Sequence, residues 1–128
     1  MKAIVCGANG AMGQLLCAAL GENLAGKVSL DGANGVAKTF EELGEVQADT
    51  VIDFSHHSAV GEVLGYAVPR GLAVVIGTTG HTEEEKQRIA EAAKRIPVFF
   101  SGNMSLGIAV LCRLAAQAAA AFPEADIE

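Results

Sequence analysis

Residues 2–13 read KAIVCGANGAMG. The first five, Lys2 to Cys6, form an apolar run too short for a helix and rich in aliphatics, which predicts a buried strand. Three glycines follow at a spacing of three, Gly7, Gly10 and Gly13, and an amphipathic stretch starts inside them. Gly7 can make the tight turn out of the strand, Gly10 lets the backbone approach a diphosphate, and Gly13 lets the new helix lie close on the sheet. Amides of the first helical turn then point at the phosphates, where the helix end carries about half a positive charge. The pattern is G-x-x-G-x-x-G rather than the commoner G-x-G-x-x-G, so its context must support it.

The context does. Downstream of the helix expected over residues 11–24, with Leu15, Leu16, Ala19 and Leu20 at helical spacing, short apolar runs alternate with amphipathic ones. Strands are expected at 27–31, 35–38, 50–54, 73–77 and 98–100, and helices at 39–43, 58–68, 82–96 and 105–122. Thr39 with Glu42, and Thr82 with Glu85, have capping-box spacing. Strands that alternate with helices require right-handed crossovers. The fold class is therefore α/β: a Rossmann-type, doubly wound parallel sheet with helices on both faces and strand order 3-2-1-4-5-6. Residues 1–128 read as one dinucleotide-binding domain.

Asp31 ends the second expected strand, 18 residues past Gly13. That is close to the roughly 20 expected of a carboxylate that accepts hydrogen bonds from the adenosine ribose. A 2′-phosphate would meet this carboxylate, and Gly32 stands where an Arg would favour NADP, so NAD is preferred over NADP; Lys38 is the one cation in reach of such a phosphate. Three further strand ends carry polar or glycine-rich residues: Asp53-Phe54-Ser55, Gly77-Thr78-Thr79-Gly80 and Ser101-Gly102-Asn103-Met104-Ser105. In open α/β sheets such ends converge on one crevice. Gly77 would let the backbone approach a flat ring, and the hydroxyls of Thr78 and Thr79 could hold a substrate carboxylate. Ser105 is also a natural cap for the last helix. His56, His57 and His81 sit beside likely caps and are read as exposed and non-catalytic. Neither they nor the cysteines form a metal-ligand pattern.

Composition narrows the function. The formal net charge is -6 with no basic cluster, which argues against nucleic acid as a partner. Cys6, Cys17 and Cys112 are odd in number and widely spaced, which suggests reduced, buried thiols in a cytoplasmic protein. A strand that runs straight into a glycine loop is no secretory leader. The most apolar stretch, residues 106–122, is 17 residues long and contains Arg113 and Gln117. It is expected to be a buried helix, not a membrane span.

With these motifs in place, GANGAMG at 7–13, VIDFS at 51–55, VIGTTG at 75–80 and SGNMSLGI at 101–108, the chain resembles dihydrodipicolinate reductase over essentially its whole length. The resemblance implies hydride transfer from NADH or NADPH to the cyclic imine 4-hydroxy-tetrahydrodipicolinate, in lysine and diaminopimelate biosynthesis. It places Gly7, Ala8, Asn9, Gly10, Ala11 and Met12 on the pyrophosphate and Asp31 on the ribose. Phe54, Gly77, Thr78, Thr79, Ser101, Gly102, Asn103 and Met104 fall on the nicotinamide side, with Thr79 also towards substrate. Many members carry Arg or Lys where this chain has Ala11, and some carry Arg at Gly32; both departures again point to NAD. The family's proton-donating His, its Lys and its carboxylate-binding Ser-Gly-Thr segment lie in a second, tetramer-forming domain that is not in this sequence. His56 and His57 are not that family's histidine pair. The fragment is therefore expected to bind cofactor without turning over substrate, its Ala-rich last helix leading towards the absent domain with one face bare.

Two other readings fit parts of the chain: a different Rossmann dehydrogenase, and a non-enzymatic NADH-sensing module. The second lacks a basic recognition helix. Residues 123–128, PEADIE, begin like a further strand and stop, as at a domain boundary.

Overall fold

The computed structural model describes residues 1–124; the strand-like start read at 123–128 falls largely outside them. Five parallel strands, β1 (Ala3–Cys6), β2 (Leu24–Val28), β3 (Thr50–Asp53), β4 (Ala73–Ile76) and β5 (Val98–Phe100), form one sheet in the order β2-β1-β3-β4-β5. Five α-helices connect and follow them: α1 (Ala11–Leu20), α2 (Phe40–Leu43), α3 (Val60–Arg70), α4 (Glu83–Ala92) and α5 (Leu106–Ala121). From β1 the chain steps one way to β2 and then returns to the other side of β1 for β3, so the switch point lies between β1 and β3.

Alternation along the strands divides the core. Ile4, Cys6, Val51, Val74 and Ile76 join Val60, Val63, Leu64 and Ala67 of α3 and Ile89 and Ala92 of α4 in the main cluster. Val5, Ala8 and Val36 form a smaller one with Leu16, Cys17 and Leu20 of α1 on the opposite face. Helices therefore do cover both faces. Ile4, Val51 and Ile76 are fully buried, and each such side chain contributes roughly 1.5–3 kcal/mol.

Several expected elements move. The second strand spans Leu24–Val28 instead of 27–31, because residues 29–32 turn: Ser29 N–H reaches Ala37 O, Gly32 N–H reaches Ser29 O, and Gly32 is left-handed at φ +57°. Asp31 thus sits in that turn, beyond the strand end. The strand expected at 35–38 reduces to one bridge, Val28 to Ala37. Asn34 and Gly35, at φ +58° and +72°, cannot run extended. That bridge still lies on the outer edge of β2, where the six-strand order places it. The first helix ends at Leu20, where Gly21 takes φ +51°. The helix expected at 58–68 spans Val60–Arg70: His56, not Ser58, caps the turn before it, and Pro69 is accommodated in its last turn. The capping box at Thr82 and Glu85 forms as read.

The largest departure is α5. It begins at its Ser105 cap, yet none of its residues is buried, and Leu106, Leu111 and Leu114 are at least half exposed. The helix read as buried is bare on all sides, because no described element lies against it. No helix among the described residues is long and apolar enough to cross a membrane.

The cysteines divide in consequence. All three are free; Cys6 is buried, Cys17 half-buried, and Cys112 exposed on α5, against the expectation of three buried thiols. Burial, reinforced by the neighbouring Asp53 carboxylate, pushes the Cys6 thiol up to about 12. Burial also raises Cys17. A thiolate-specific reagent near neutral pH should label Cys112 promptly and Cys6 only on unfolding. Three equally fast thiols in the folded protein would contradict this packing.

Candidate functional site

The C-terminal ends of β1, β3, β4 and β5 carry the residues singled out in the sequence, and the structure gathers most of them. Gly7 leaves β1 at φ +79°, and a Cβ there would fall 2.5 Å from Phe54 O. The first loop thus passes directly over the loop that follows β3. A Cβ on Gly13 would lie 2.0 Å from Gly7 O and 2.7 Å from Ala8 Cα. The helix start is therefore seated on the loop itself. Gly10 is open, its nearest neighbour being Gly7 O at 3.3 Å.

The mouth of α1 is free. Gly10 caps the helix with no side-chain bond, and Gly10, Ala11 and Met12 are exposed. Among the described residues, the amides of Ala11, Met12 and Gly13 reach no protein acceptor. Unpaired donors at a helix N-terminus suit a diphosphate.

Asp31 faces this mouth. Its Oδ1 accepts from Asn9 Nδ2 at 2.5 Å and from Ala33 N–H at 3.3 Å. Asn9 Nδ2 also reaches Ala33 O at 3.2 Å, and Gln14 Nε2 holds Asn9 O at 2.9 Å. The Asn9 bond, followed by that of Ala33, holds the Asp31 carboxyl below the usual range. Asn9 is thus the link between phosphate loop and ribose carboxylate. The stem of Lys38 crosses Gly32, with Cε 2.6 Å from where a Cβ would stand.

A cavity of about 310 Å³ opens between the β3 and β4 ends, lined by Phe54, Ser55, His56, His57, Gly77, Thr78 and Thr79. Gly77 also packs within the protein. A Cβ on it would lie 2.3 Å from the Phe54 ring, so the missing side chain makes room for Phe54. Thr78 is buried, and its hydroxyl lies 3.3 Å from Asp53 Oδ2 and 3.4 Å from Asp53 O. Only the Thr79 hydroxyl remains exposed. Gly102 approaches the Thr79 methyl within 3.3 Å of its Cβ position, which brings residues 101–104 to the same rim. Ser101 and Asn103 also brace that loop: Ser101 Oγ donates to Asn103 O at 2.9 Å, and Ser105 N–H donates to Asn103 Oδ1 at 2.8 Å.

Sequence reasoning named Asp53 only as part of a polar strand end and missed what it holds. It is fully buried at the end of β3, and its Oδ1 accepts from Ser55 N–H at 3.0 Å and Ser55 Oγ at 2.5 Å. One carboxylate therefore ties the β3 loop to the β4 loop. An acidic residue within an apolar strand was the available signal. His56 is exposed as read, whereas His57 and His81 are not. His56 lines the cavity and caps its turn through Nδ1. His57 is half-buried, with Nδ1 3.0 Å from Glu85 Oε2. The Thr82 amide, then His57, holds Glu85 below its ordinary range. His81 is buried, edge-on to Phe100 with centroids 5.2 Å apart, and neither ring nitrogen has a hydrogen-bond partner. Among the described residues no group of three or more His, Cys, Asp or Glu is placed to hold a metal ion.

This geometry agrees with the comparisons to known proteins. Residues 1–104 match the family model described as dihydrodipicolinate reductase, N-terminus; the match stops just before α5. A protein of Caldanaerobacter subterraneus subsp. tengcongensis, named 4-hydroxy-tetrahydrodipicolinate reductase, is 41% identical over 100% of this chain and 53% of its own length. Proteins of the same name from an Anaeromyxobacter species and from Archaeoglobus fulgidus are 40% and 33% identical, each over 100% of this chain and 55% of the relative. The chain spans about half the length of these relatives. With the match covering most of its residues, and with the parallel sheet and open glycine loop in place, this chain belongs to the family of dihydrodipicolinate reductase N-terminal domains.

Proposed function

We propose that this chain is the NAD(P)H-binding half of a cytoplasmic 4-hydroxy-tetrahydrodipicolinate reductase. The observation that carries the proposal is the open helix mouth at Ala11, Met12 and Gly13, with Asp31 held beside it by Asn9. A nicotinamide dinucleotide fits these residues: bare amides for the diphosphate, an ionised carboxylate for the ribose, and a slot beside Phe54 and Gly77 for a flat ring. When bound, the cofactor supplies the hydride that reduces a cyclic imine dicarboxylate.

This chain's residues bind and orient. Asn9 fixes the rotamer of Asp31 before ligand arrives, which reduces the ordering cost of binding. Phe54 closes one side of the ring slot and keeps water from it. The exposed Thr79 hydroxyl, at the rim of the cavity, is the group here that can reach a substrate carboxylate. The proton donor and the remaining substrate contacts belong to a second domain, through which the full-length protein assembles as a homotetramer. The chain alone therefore binds cofactor without catalysing reduction. NADH is favoured, since Asp31 repels a 2′-phosphate and Gly32 offers no cation; Lys38 keeps NADPH within reach.

Calorimetric titration tests the reading. NADH should bind the chain, and Asp31→Ala should weaken it about tenfold, since it removes the charged acceptor for the ribose hydroxyls. Because the Asp31 carboxyl sits below its ordinary range, it stays ionised as pH falls through the usual aspartate midpoint of about 3.9. Affinity should therefore be level from about pH 7 down to about pH 4, with this contribution lost only as pH falls below the ordinary aspartate midpoint. Absence of NADH binding at millimolar ligand would remove the proposal.

A further inference from the structure

A groove of about 880 Å³ lies away from the cofactor crevice, between α3 and α4. Gly61, Leu64, Gly65 and Val68 form one side; Glu84, Arg88, Glu91 and Arg95 rise from the other. All four charged residues are exposed. Their order is acid, base, acid, base, and it is antisymmetric about the point between residues 89 and 90: Glu84 mirrors Arg95, and Arg88 mirrors Glu91. In two antiparallel helices related by a two-fold axis, mirrored positions face each other. A second α4 in that orientation would set Arg88 of each copy against position 91 of the other within the helices, and Glu84 against position 95 in the turn that follows α4.

The same spacing offers pairs within one helix, Glu84 with Arg88 and Glu91 with Arg95, and these would be the ordinary explanation of such a pattern. The structure does not form them. Its exposed ion pairs on this helix are Lys86 to Glu83 at 2.7 Å and Lys94 to Glu91 at 2.6 Å. Among the described residues Glu84, Arg88 and Arg95 make no ion pair. Arg88 instead leans over the groove, its Nη1 3.4 Å from the position of a Gly61 Cβ. The exposed Lys94–Glu91 contact is worth little and exchanges easily for an incoming arginine. The glycines of α3 let a second backbone come close, and antiparallel helix dipoles oppose each other favourably.

We propose that this groove is an isologous interface in which a second copy of this chain docks its α4 antiparallel against α4. Glu84 pairs with the other copy's residue at position 95, and Arg88 with the one at 91, each contact occurring twice. Residues 84–92 of α4 span about 12 Å, and Arg95 follows in the turn that closes the helix, its N–H on Ala92 O at 2.9 Å, so the Arg88 pairs lie nearest the two-fold axis and the Glu84 pairs at the ends of the contact. Exposed pairs are individually weak, so the dimer is a weak, salt-sensitive one. The inference does not depend on what the cofactor crevice binds.

Sedimentation equilibrium of the whole chain tests it. Association should fall at least tenfold between about 0.05 M and about 0.5 M NaCl, as the Debye length shrinks from about 14 Å to about 4 Å. Arg88→Glu should weaken the dimer at least tenfold at low salt by setting like charges opposite each other. Arg88→Glu with Glu91→Arg restores opposite charges only across the two-fold axis and should bring the dimer back, with circular dichroism melts confirming that all variants fold. A chain that stays monomeric at low salt overturns the proposal. So does association that persists or strengthens in high salt and ignores Arg88→Glu, which would assign it to the apolar surface of α5, and so does a double variant that remains monomeric.

Discussion

Gly13→Ala should cost NADH at least a hundredfold in affinity and the fold about 3 kcal/mol. The added methyl would stand 2.0 Å from Gly7 O, 2.7 Å from Ala8 Cα and 2.8 Å from Gly7 C. These neighbours are backbone atoms of the loop that the helix rests on, so no side chain can swing aside. Either α1 lifts from the sheet or residues 7–10 open. Overpacking of this kind typically costs 1–3 kcal/mol and occasionally more. Both adjustments also scatter the amides of Ala11, Met12 and Gly13, and two lost charge-assisted bonds at about 1.5 kcal/mol each already exceed a hundredfold. Gly65→Ala, on α3 and outside the phosphate loop, is the natural control, since nothing lies within 4 Å of its Cβ position. Titration and thermal melting of the two variants side by side check the claim. If Gly13→Ala bound NADH as the parent does, the seating of the helix on its loop would be wrong.

Asp53→Ala should lower thermal stability by about 10 °C and loosen the crevice. The carboxylate is fully buried and satisfies Ser55 N–H, Ser55 Oγ and Thr78 Oγ1. Alanine would leave the Ser55 amide without an acceptor, at about 1–3 kcal/mol, and the buried Thr78 hydroxyl with only the main-chain oxygen of residue 53, 3.4 Å away. The Ser55 hydroxyl can turn towards His56 O, already 3.4 Å away, so a net loss of about 3 kcal/mol is reasonable, and a chain of this length shifts by about 4 °C per kcal/mol. Because Asp53 joins the loops after β3 and β4, NADH binding should weaken as well. Asp53→Asn keeps one acceptor oxygen and should fall between the two. A melting point unchanged within about 1 °C would show that this buried carboxylate holds nothing.

The fold was legible where local chemistry is unambiguous. The glycine triplet, the Thr82–Glu85 box and the alternation of strand with helix each have one physical reading, and the structure has the sheet, its parallel sense and both helical faces. The elements that moved are those where backbone conformation overrides apolar pattern. Gly21, Gly32, Asn34 and Gly35, all at positive φ, end the first helix early, turn the chain before Asp31 and reduce one strand to a bridge. Within the site, residue identity was readable but division of labour was not. Gly77, Thr78, Ser101 and Asn103 were visible as ligand-facing candidates; that Gly77 also makes room for Phe54 and that the other three also bond within the protein was not. What Asp53 holds was hidden because a carboxylate inside an apolar run declares its partners only in three dimensions. The burial of α5 failed because its apolar, Ala-rich sequence says that it wants a partner, not where that partner is.

That bare helix has a thermodynamic consequence. Cooperative unfolding is shared among elements that bury surface against one another, and α5 buries none of its residues. Sixteen residues of helix standing on their own backbone bonds are near the margin of stability in water. The all-or-none transition of this molecule therefore belongs to the sheet and its first four helices, while α5 winds and unwinds on its own account. A single free energy of unfolding for the whole chain would describe a unit that ends near Ser105.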